Sequence, residues 1–265
     1  MNLPAAALPA GRFVAFDTST DRMSIAVSRP SGAAGGAVEV WQHEGPGAAQ
    51  SSATLIPQVL RLLADSGQAL AELDALVFGR GPGSFTGLRT ACAVAQGLAL
   101  GAQLPVIAID TLLAVAEEAR FAQHLTQAIY VTAALDARMN ELYVQDFAYA
   151  AGAWTALGAC VLTSPEALHL KPAAGTPHLL AGNVFAAYQS RLPPLPAHVT
   201  RIEALPTATA MLRLAPVLLA AGCGLPAAHA LPLYIRDKVA FTTLERDLAK
   251  LDAEARRLAE LGTAQ

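Results

Sequence analysis

Three stretches of this sequence carry the side chains best suited to chemistry. Asp17-Thr18-Ser19-Thr20 follows an apolar run at residues 12–16, and Asp136-Ala137-Arg138-Met139 follows another at residues 128–135. A carboxylate in such a place can end a strand and order its turn by accepting from nearby backbone N–H groups. The third stretch is Gly79-Arg80-Gly81-Pro82-Gly83-Ser84-Phe85-Thr86-Gly87-Leu88-Arg89. It lies between an apolar run at 73–78 and a segment of small residues at 90–101. Strand, glycine-rich turn and helix in that order place backbone N–H groups at a positively polarised helix end, a setting that suits phosphate. Ser84 or Thr86 is placed to cap that end. Yet neither the Walker pattern nor the dinucleotide fingerprint is present. The glycines serve equally well as a tight turn that lets a helix pack closely on a sheet.

Other chemistry finds little support. The six histidines include no pair four apart and no HExxH, so a helical metal site is not indicated. No serine sits in a GxSxG context, and no cysteine has an adjacent base. Asp136, Arg138 and Glu141 share a turn, but a paired-carboxylate site needs a geometry that spacing alone does not supply. Cys92, Cys160 and Cys223 are far apart, which argues against structural zinc and disulfides and for a reducing compartment, the cytoplasm.

The chain has 265 residues, 54% of them apolar and 15% charged, which excludes the disordered class. A net charge of −3 argues against a strong nucleic-acid binder acting alone. The apolar stretch 91–102 is too short to span a bilayer. Residues 1–11 lack the basic start of a secretory signal and read as a Pro/Ala leader.

Three strands, at 12–16, 23–28 and 37–43, should form an antiparallel meander. An amphipathic helix follows, with apolar Leu55, Ile56, Val59, Leu60, Leu62 and Leu63 and a stop at Gly67. Pro57 belongs in a first turn, which favours Thr54 as the cap. Strand 73–78, the glycine loop, its helix, strand 105–109 and a helix at 111–121 behind Asp110 complete a βββαβαβα order. The second half begins alike, with strands at 128–135, 141–149 and 154–162, a short helix at 165–170, a strand at 178–181 and a helix through 191. A kinked helix at 207–221 and an extended segment at 231–236 follow. Thr242 and Glu245 make a capping box that opens a helix with Leu244, Leu248, Leu251, Ala255 and Leu258 on one stripe. The expected architecture is α/β, an internal duplication of βββαβαβα with its two aspartates at one cleft. Its parts are an N-terminal subdomain at 12–122, a C-terminal one at 123–240 and a helical tail at 241–265.

That duplicated plan, with an aspartate after the first strand of each half, resembles the actin-like ATPase and sugar-kinase (ASKHA, RNase H-like) superfamily. Working members carry glycine in those turns, where phosphate and metal are held. Here the turns contain none, so Asp17, Thr18, Ser19 and Asp136 are candidates for a vestigial nucleotide site. More narrowly, Phe13-Val14-Ala15-Phe16-Asp17-Thr18-Ser19-Thr20 and the glycine block are similar to the bacterial TsaB (YeaZ) family. Leu135-Asp136-Ala137-Arg138, Glu141-Leu142-Tyr143 and the block from Leu233-Tyr234-Ile235-Arg236 to Ala240 fit the same family. The match spans about residues 12–240.

The resemblance implies a non-catalytic subunit needed to make threonylcarbamoyladenosine next to the anticodon of tRNAs reading ANN codons. Its partners would be a catalytic paralogue, TsaD, and a small ATPase, TsaE. ATP and metal would sit on those partners, and tRNA would be met only through the complex. No cofactor, metal or catalytic residue is expected on this chain. Alone, it should form a homodimer. Two rival readings are a free-standing ASKHA phosphotransferase, opposed by the glycine-free turns, and a metallopeptidase, opposed by the histidine spacing. The helices at 54–66 and 90–101 carry more apolar and small residues than one sheet requires, which makes them the expected partner face. The candidate contacts are Leu55, Val59, Leu62, Phe85, Thr86, Leu88, Arg89, Ala93 and Gln96, with Val59 and Ala93 facing outward. The chain departs from the family with Gln50-Ser51-Ser52 at the start of the first helix, and with a longer tail.

Overall fold

A continuous apolar run in mid-sheet must be covered on both faces, and Phe13–Asp17 (β1) is buried along its whole length. In the computed structural model, which describes residues 11–31, 37–170 and 175–236, β1 is the centre of a five-stranded sheet. Arg22–Pro30 (β2), Val38–Pro46 (β3), Ala75–Gly81 (β4) and Val106–Asp110 (β5) join it in the order β3-β2-β1-β4-β5. The pairs β1/β2 and β2/β3 are antiparallel, and β1/β4 and β4/β5 are parallel.

The second sheet holds Ile129–Asp136 (β6), Leu142–Ala150 (β7), Ala153–Ala156 (β8), His178–Gly182 (β10) and Val199–Glu203 (β11), with Val161–Thr163 (β9) also paired to β7. Its order is β11-β10-β6-β7-β8, the first sheet's order read from the other side. The pair directions repeat as well: β6/β7 and β7/β8 antiparallel, β10/β6 and β10/β11 parallel. The chain is thus a duplicated, two-sheet actin-like (RNase H-like) fold, as its element order predicts.

The helices distribute unevenly. Ser51–Ser66 (α1) and Phe85–Ala102 (α2) cover one face of the first sheet, where Leu55, Val59, Leu62, Leu63, Ala91 and Ala95 meet Val14, Phe16, Leu76 and Phe78. The other face is covered from the far end of the chain. Ala208–Ala220 (α5) sets Met211, Leu212 and Ala215 against Phe13, Ala15, Val77 and Ile109. Thr111–Ala122 (α3), although it follows β5, packs Leu112, Val115, Ala116 and Ala119 on the second sheet. The short Val184–Tyr188 (α4) lies on that sheet's outer face. The packing therefore crosses the expected boundary at 122/123.

A buried ion cluster ties α3 to α5. Glu117, 2% exposed, takes Arg213 at 2.8 Å, Arg120 through two bonds of 2.8 Å, and the Trp154 indole N–H at 3.0 Å. Arg213 also reaches Glu118 at 2.6 Å. Every charge in the cluster has a partner, the condition on which burial is tolerable.

Several sequence expectations need correction. Helix α1 begins at Ser51 with Gln50 in the cap position, so Thr54 is not the cap and Pro57 is interior. Ala53 and Pro57 both face solvent, where water can take up the carbonyl that proline leaves without a donor. Asp110 stands in the cap position of α3 but makes no side-chain cap bond, because its carboxylate pairs with Arg80. The expected strand 154–162 breaks into β8 and β9 around Gly158, whose φ of 137° favours glycine. The helix at 165–170 shrinks to a 3-10 turn, Pro165–Ala167. The leucine stripe at 244–258 lies outside the described residues.

Candidate functional site

At the C-terminal end of β1, Asp17 is fully buried. Its Oδ1 accepts from the Ser19 N–H at 2.8 Å and the Ser19 hydroxyl at 2.6 Å. Its Oδ2 has no hydrogen-bond partner. Burial outweighs the two Ser19 bonds and pushes the carboxyl up to about 6. Nothing larger than hydrogen fits beside it: a Cβ on Gly79 would lie 1.8 Å from Oδ2.

The glycine loop is closed down on this turn. Thr18 Oγ1 donates to the Gly87 carbonyl at 2.7 Å, and the Ser84 N–H donates to the Ser19 carbonyl at 2.7 Å. A Cβ at Gly87 would lie 1.8 Å from the Thr18 oxygen, and one at Gly83 would lie 2.5 Å from that of Ser19. These glycines allow loop and turn to interlock, so here the packing role prevails over a phosphate cradle. Ser84, of the two candidates, caps α2, accepting from Gly87 N–H at 3.5 Å.

Asp136 ends β6 in the same way but with its oxygens occupied. Oδ1 accepts from the Arg138 N–H at 2.8 Å and the Tyr188 hydroxyl at 2.7 Å, and Oδ2 faces the Arg138 guanidinium at 3.3 Å. Burial, and then the bond to Asp136, raise the Tyr188 hydroxyl to about 12, so it keeps the proton it donates. Arg138 also pairs with Asp21 in the first-half turn, which draws the two turns together. Burial, assisted by the Asp110 charge, holds the Cys160 thiol near 12, well away from a reactive thiolate. Among the described residues no group of three metal-ligating side chains converges.

The two helices divide the predicted partner contacts. Leu55, Val59, Leu62 and Leu88 are buried in the chain's own core, so Val59 does not face outward as expected. Ala93 and Thr86 are exposed. Phe85, Arg89 and Gln96 turn toward a strap at residues 230–235: Gln96 donates to the Ala230 carbonyl at 2.8 Å, and Arg89 to the Tyr234 hydroxyl at 3.1 Å. The Phe85 and Tyr234 rings lie 5.1 Å apart, with the Arg89 guanidinium 3.8 Å over Phe85. The bare apolar side chains are others: Ile56 at 42% and Leu60 at 51% on α1, Leu100 at 74% on α2. A helical wheel anchored on Leu55, Val59 and Leu62 puts Ile56 and Leu60 outside, the signal by which the sequence identifies them.

The comparisons decide the family. The family model for TsaD, tRNA N6-adenosine threonylcarbamoyltransferase, matches residues 46–261. The Escherichia coli K12 tRNA threonylcarbamoyladenosine biosynthesis protein TsaB is 33% identical over 241 residues, covering 88% of this chain and 98% of that protein. This chain belongs to the TsaB (YeaZ) family. The Haemophilus influenzae TsaB is 56% identical over 89 residues, 34% of this chain and 36% of its own length. Among solved structures, YeaZ from Pseudomonas aeruginosa superposes with a TM-score of 0.72 at 35% identity, covering 84% of this chain and 99% of that one. In this TsaB-family chain no described helix is long and apolar enough to cross a membrane.

Proposed function

We propose that this TsaB-family chain works in tRNA threonylcarbamoyladenosine formation as a non-catalytic subunit that pairs with a TsaD-like paralogue through the outer face of α1 and α2. The tRNAs served would be those reading ANN codons, met only through the complex. A TsaE-like ATPase would join it, ATP and metal would be held by the partners, and the site of action would be the cytoplasm. The same face would pair two copies of this chain when the partner is absent.

One observation carries the reading. Ile56, Leu60 and Leu100 are exposed, and among the described residues a Cβ at Gly97 or at Gly101 would meet nothing within 4 Å. Glycine inside a helix costs roughly 1 kcal/mol relative to alanine. Nothing among the described residues needs these two, whereas a closely approaching neighbour would. A partner descended from the same plan would offer like elements, the usual basis of a twofold-related pair. The carboxyl turns support the absence of chemistry: Asp17 is sealed under the loop, and Asp136 is engaged by its neighbours.

The test is titration of the TsaD-like subunit with Leu60→Asp and Leu100→Asp variants. Both positions are exposed, so melting temperature should hold while affinity falls by about a hundredfold or more, a hot-spot-sized loss. Wild-type affinity in the folded double variant would place the interface elsewhere. ATP turnover by the isolated chain that vanishes on Asp17→Ala would overturn the non-catalytic assignment.

A further inference from the structure

The strap at residues 230–235 is bound along one stripe of α2. Phe85, Arg89, Cys92 and Gln96, spaced by four, three and four residues, all face it. The Cys92 thiol and the Gln96 amide both donate to the Ala230 carbonyl, at 3.2 and 2.8 Å. The Leu233 N–H donates to the Arg80 carbonyl at 2.7 Å, and the strap passes so close that a Cβ at Gly81 would lie 2.5 Å from the Leu233 oxygen. The neighbouring stripe of α2, Thr86, Thr90, Ala93 and Gly97, carries only small side chains, three of the four exposed. On its other side Val94 and Leu98 pack into the layer shared with α1. The small stripe of α2 is therefore an exposed face bordered by the strap. Leu231, 65% exposed, and Tyr234, 43% exposed, add apolar surface at that border, and α1 exposes Ile56 and Leu60.

We infer that the strap extends the partner-binding face of α2, and that Phe85, Arg89 and Gln96 serve the interface by holding the strap rather than by touching the partner. The inference rests on the pairing proposed above, and its occupant is an element of the TsaD-like subunit. Two large apolar side chains on a segment without regular structure would be expected to fold inward. Here the strap that carries them is tied to α2 at Ala230 and Tyr234, and both side chains stay exposed. Arg89 and Gln96 direct their polar groups at the strap, and the strap in turn exposes Leu231 and Tyr234.

The experiment measures affinity for the TsaD-like subunit by calorimetry, with melting temperature as the control for folding. Leu231→Asp should weaken binding by about tenfold or more at unchanged stability. Arg89→Ala and Tyr234→Ala should each weaken it by several-fold, and the double variant should be no worse than the poorer single one, since both break the same support. Wild-type affinity for Leu231→Asp, in a preparation where Leu60→Asp abolishes binding, would remove the strap from the interface and leave the pairing intact. Multiplying losses for Arg89→Ala and Tyr234→Ala would mean that Arg89 meets the partner directly and would overturn its positioning role. Unchanged binding by Leu60→Asp and Leu100→Asp as well would bring down the pairing itself.

Discussion

The two halves keep one winding of strands and diverge in everything laid over it. Each ends its first strand in an aspartate whose Oδ1 accepts from the N–H two residues on, at 2.8 Å in both Asp17 and Asp136. In the first half that carboxyl is dry and half-unsatisfied; in the second it is hydrogen-bonded by Tyr188 and faces an arginine. The first half covers its outer face with helices of 16 and 18 residues. In the corresponding places the second has a 3-10 turn and a helix of five. After duplication the strand plan is held by the requirements of sheet pairing, whereas the helical cover is free to follow separate uses. A long two-helix surface, of the kind a partner can dock on, survives on one half alone.

The comparison can be broken at its joint. Glu117→Ala leaves Arg120 and the Trp154 indole without their carboxylate and Arg213 with Glu118 alone. Stability should fall by about 3–5 kcal/mol, the usual cost of removing one partner from a buried ion cluster. Urea unfolding followed by tryptophan fluorescence measures it, and a loss under 1 kcal/mol would show that the halves do not depend on this tie. Next in size is a pair of glycines, Gly79 inside β4 and Gly182 at the end of β10. A Cβ on Gly182 would lie 1.6 Å from the Ala134 carbonyl, at a φ of 153°, whereas one on Gly79 would meet the Asp17 side chain. Gly182→Ala should cost about 2–4 kcal/mol from backbone strain and overpacking together, and more than Gly79→Ala, because a carbonyl in a strand cannot turn aside. The reverse ranking in thermal melts would mean that the Asp17 slot is the stiffer of the two.

Acid sharpens the contrast between the aspartates. Asp17 titrates near 6 when folded, above its ordinary 3.8. Between these values the folded state holds a proton that the unfolded state has released. Its contribution to stability is therefore greatest below pH 3.8, declines as pH rises through 6, and is flat above. Asp17→Asn keeps the acceptor for Ser19 and removes the dry charge. At pH 7.5 it should gain up to about 2–3 kcal/mol at roughly 1.4 kcal/mol per pH unit, an advantage that disappears toward pH 4. Asp136→Asn, which loses the arginine's charge partner, should gain nothing, and equal gains would make the two turns electrostatically alike. The smallest effect concerns caps. The Ser84 bond is long at 3.5 Å, while Thr207 caps α5 at 3.1 Å and also donates to Glu118 at 2.6 Å. Ser84→Ala should cost about 0.5 kcal/mol and Thr207→Ala about 1–2 kcal/mol, read as shifts in melting temperature.

Much of this was legible in the residues. Strands β1, β4 and β6 announce themselves as continuous apolar runs, and the repeated strand–Asp–turn exposes the duplication in the sequence itself. The edge strand β11 is hidden, because Val199 and Ile202 are its only apolar residues and both are half-buried. Pro57 misleads because its rule applies to interior carbonyls, and here the affected carbonyl faces water. The glycine loop is ambiguous for a deeper reason: a backbone that must approach phosphate and one that must approach another turn need the same missing Cβ. Which neighbour it approaches is a tertiary fact. The same holds for the partner face, where apolar content identifies the right helices but burial decides which side of each is free.

The crossing of α3 and α5 has a consequence for synthesis. Phe13, Ala15, Val77 and Ile109 are in place early, but the face they form is closed by Met211, Leu212 and Ala215. A ribosome moving from the N-terminus therefore releases the complete first sheet with one side bare, and it stays bare until the second half has nearly all been made. Such a nascent chain exposes a sheet-sized apolar surface for the seconds that translation takes, the state most prone to misassembly and most in need of a chaperone. It also means that the first half cannot be produced alone as a stable domain by stopping at residue 122, however completely its own sheet is encoded there.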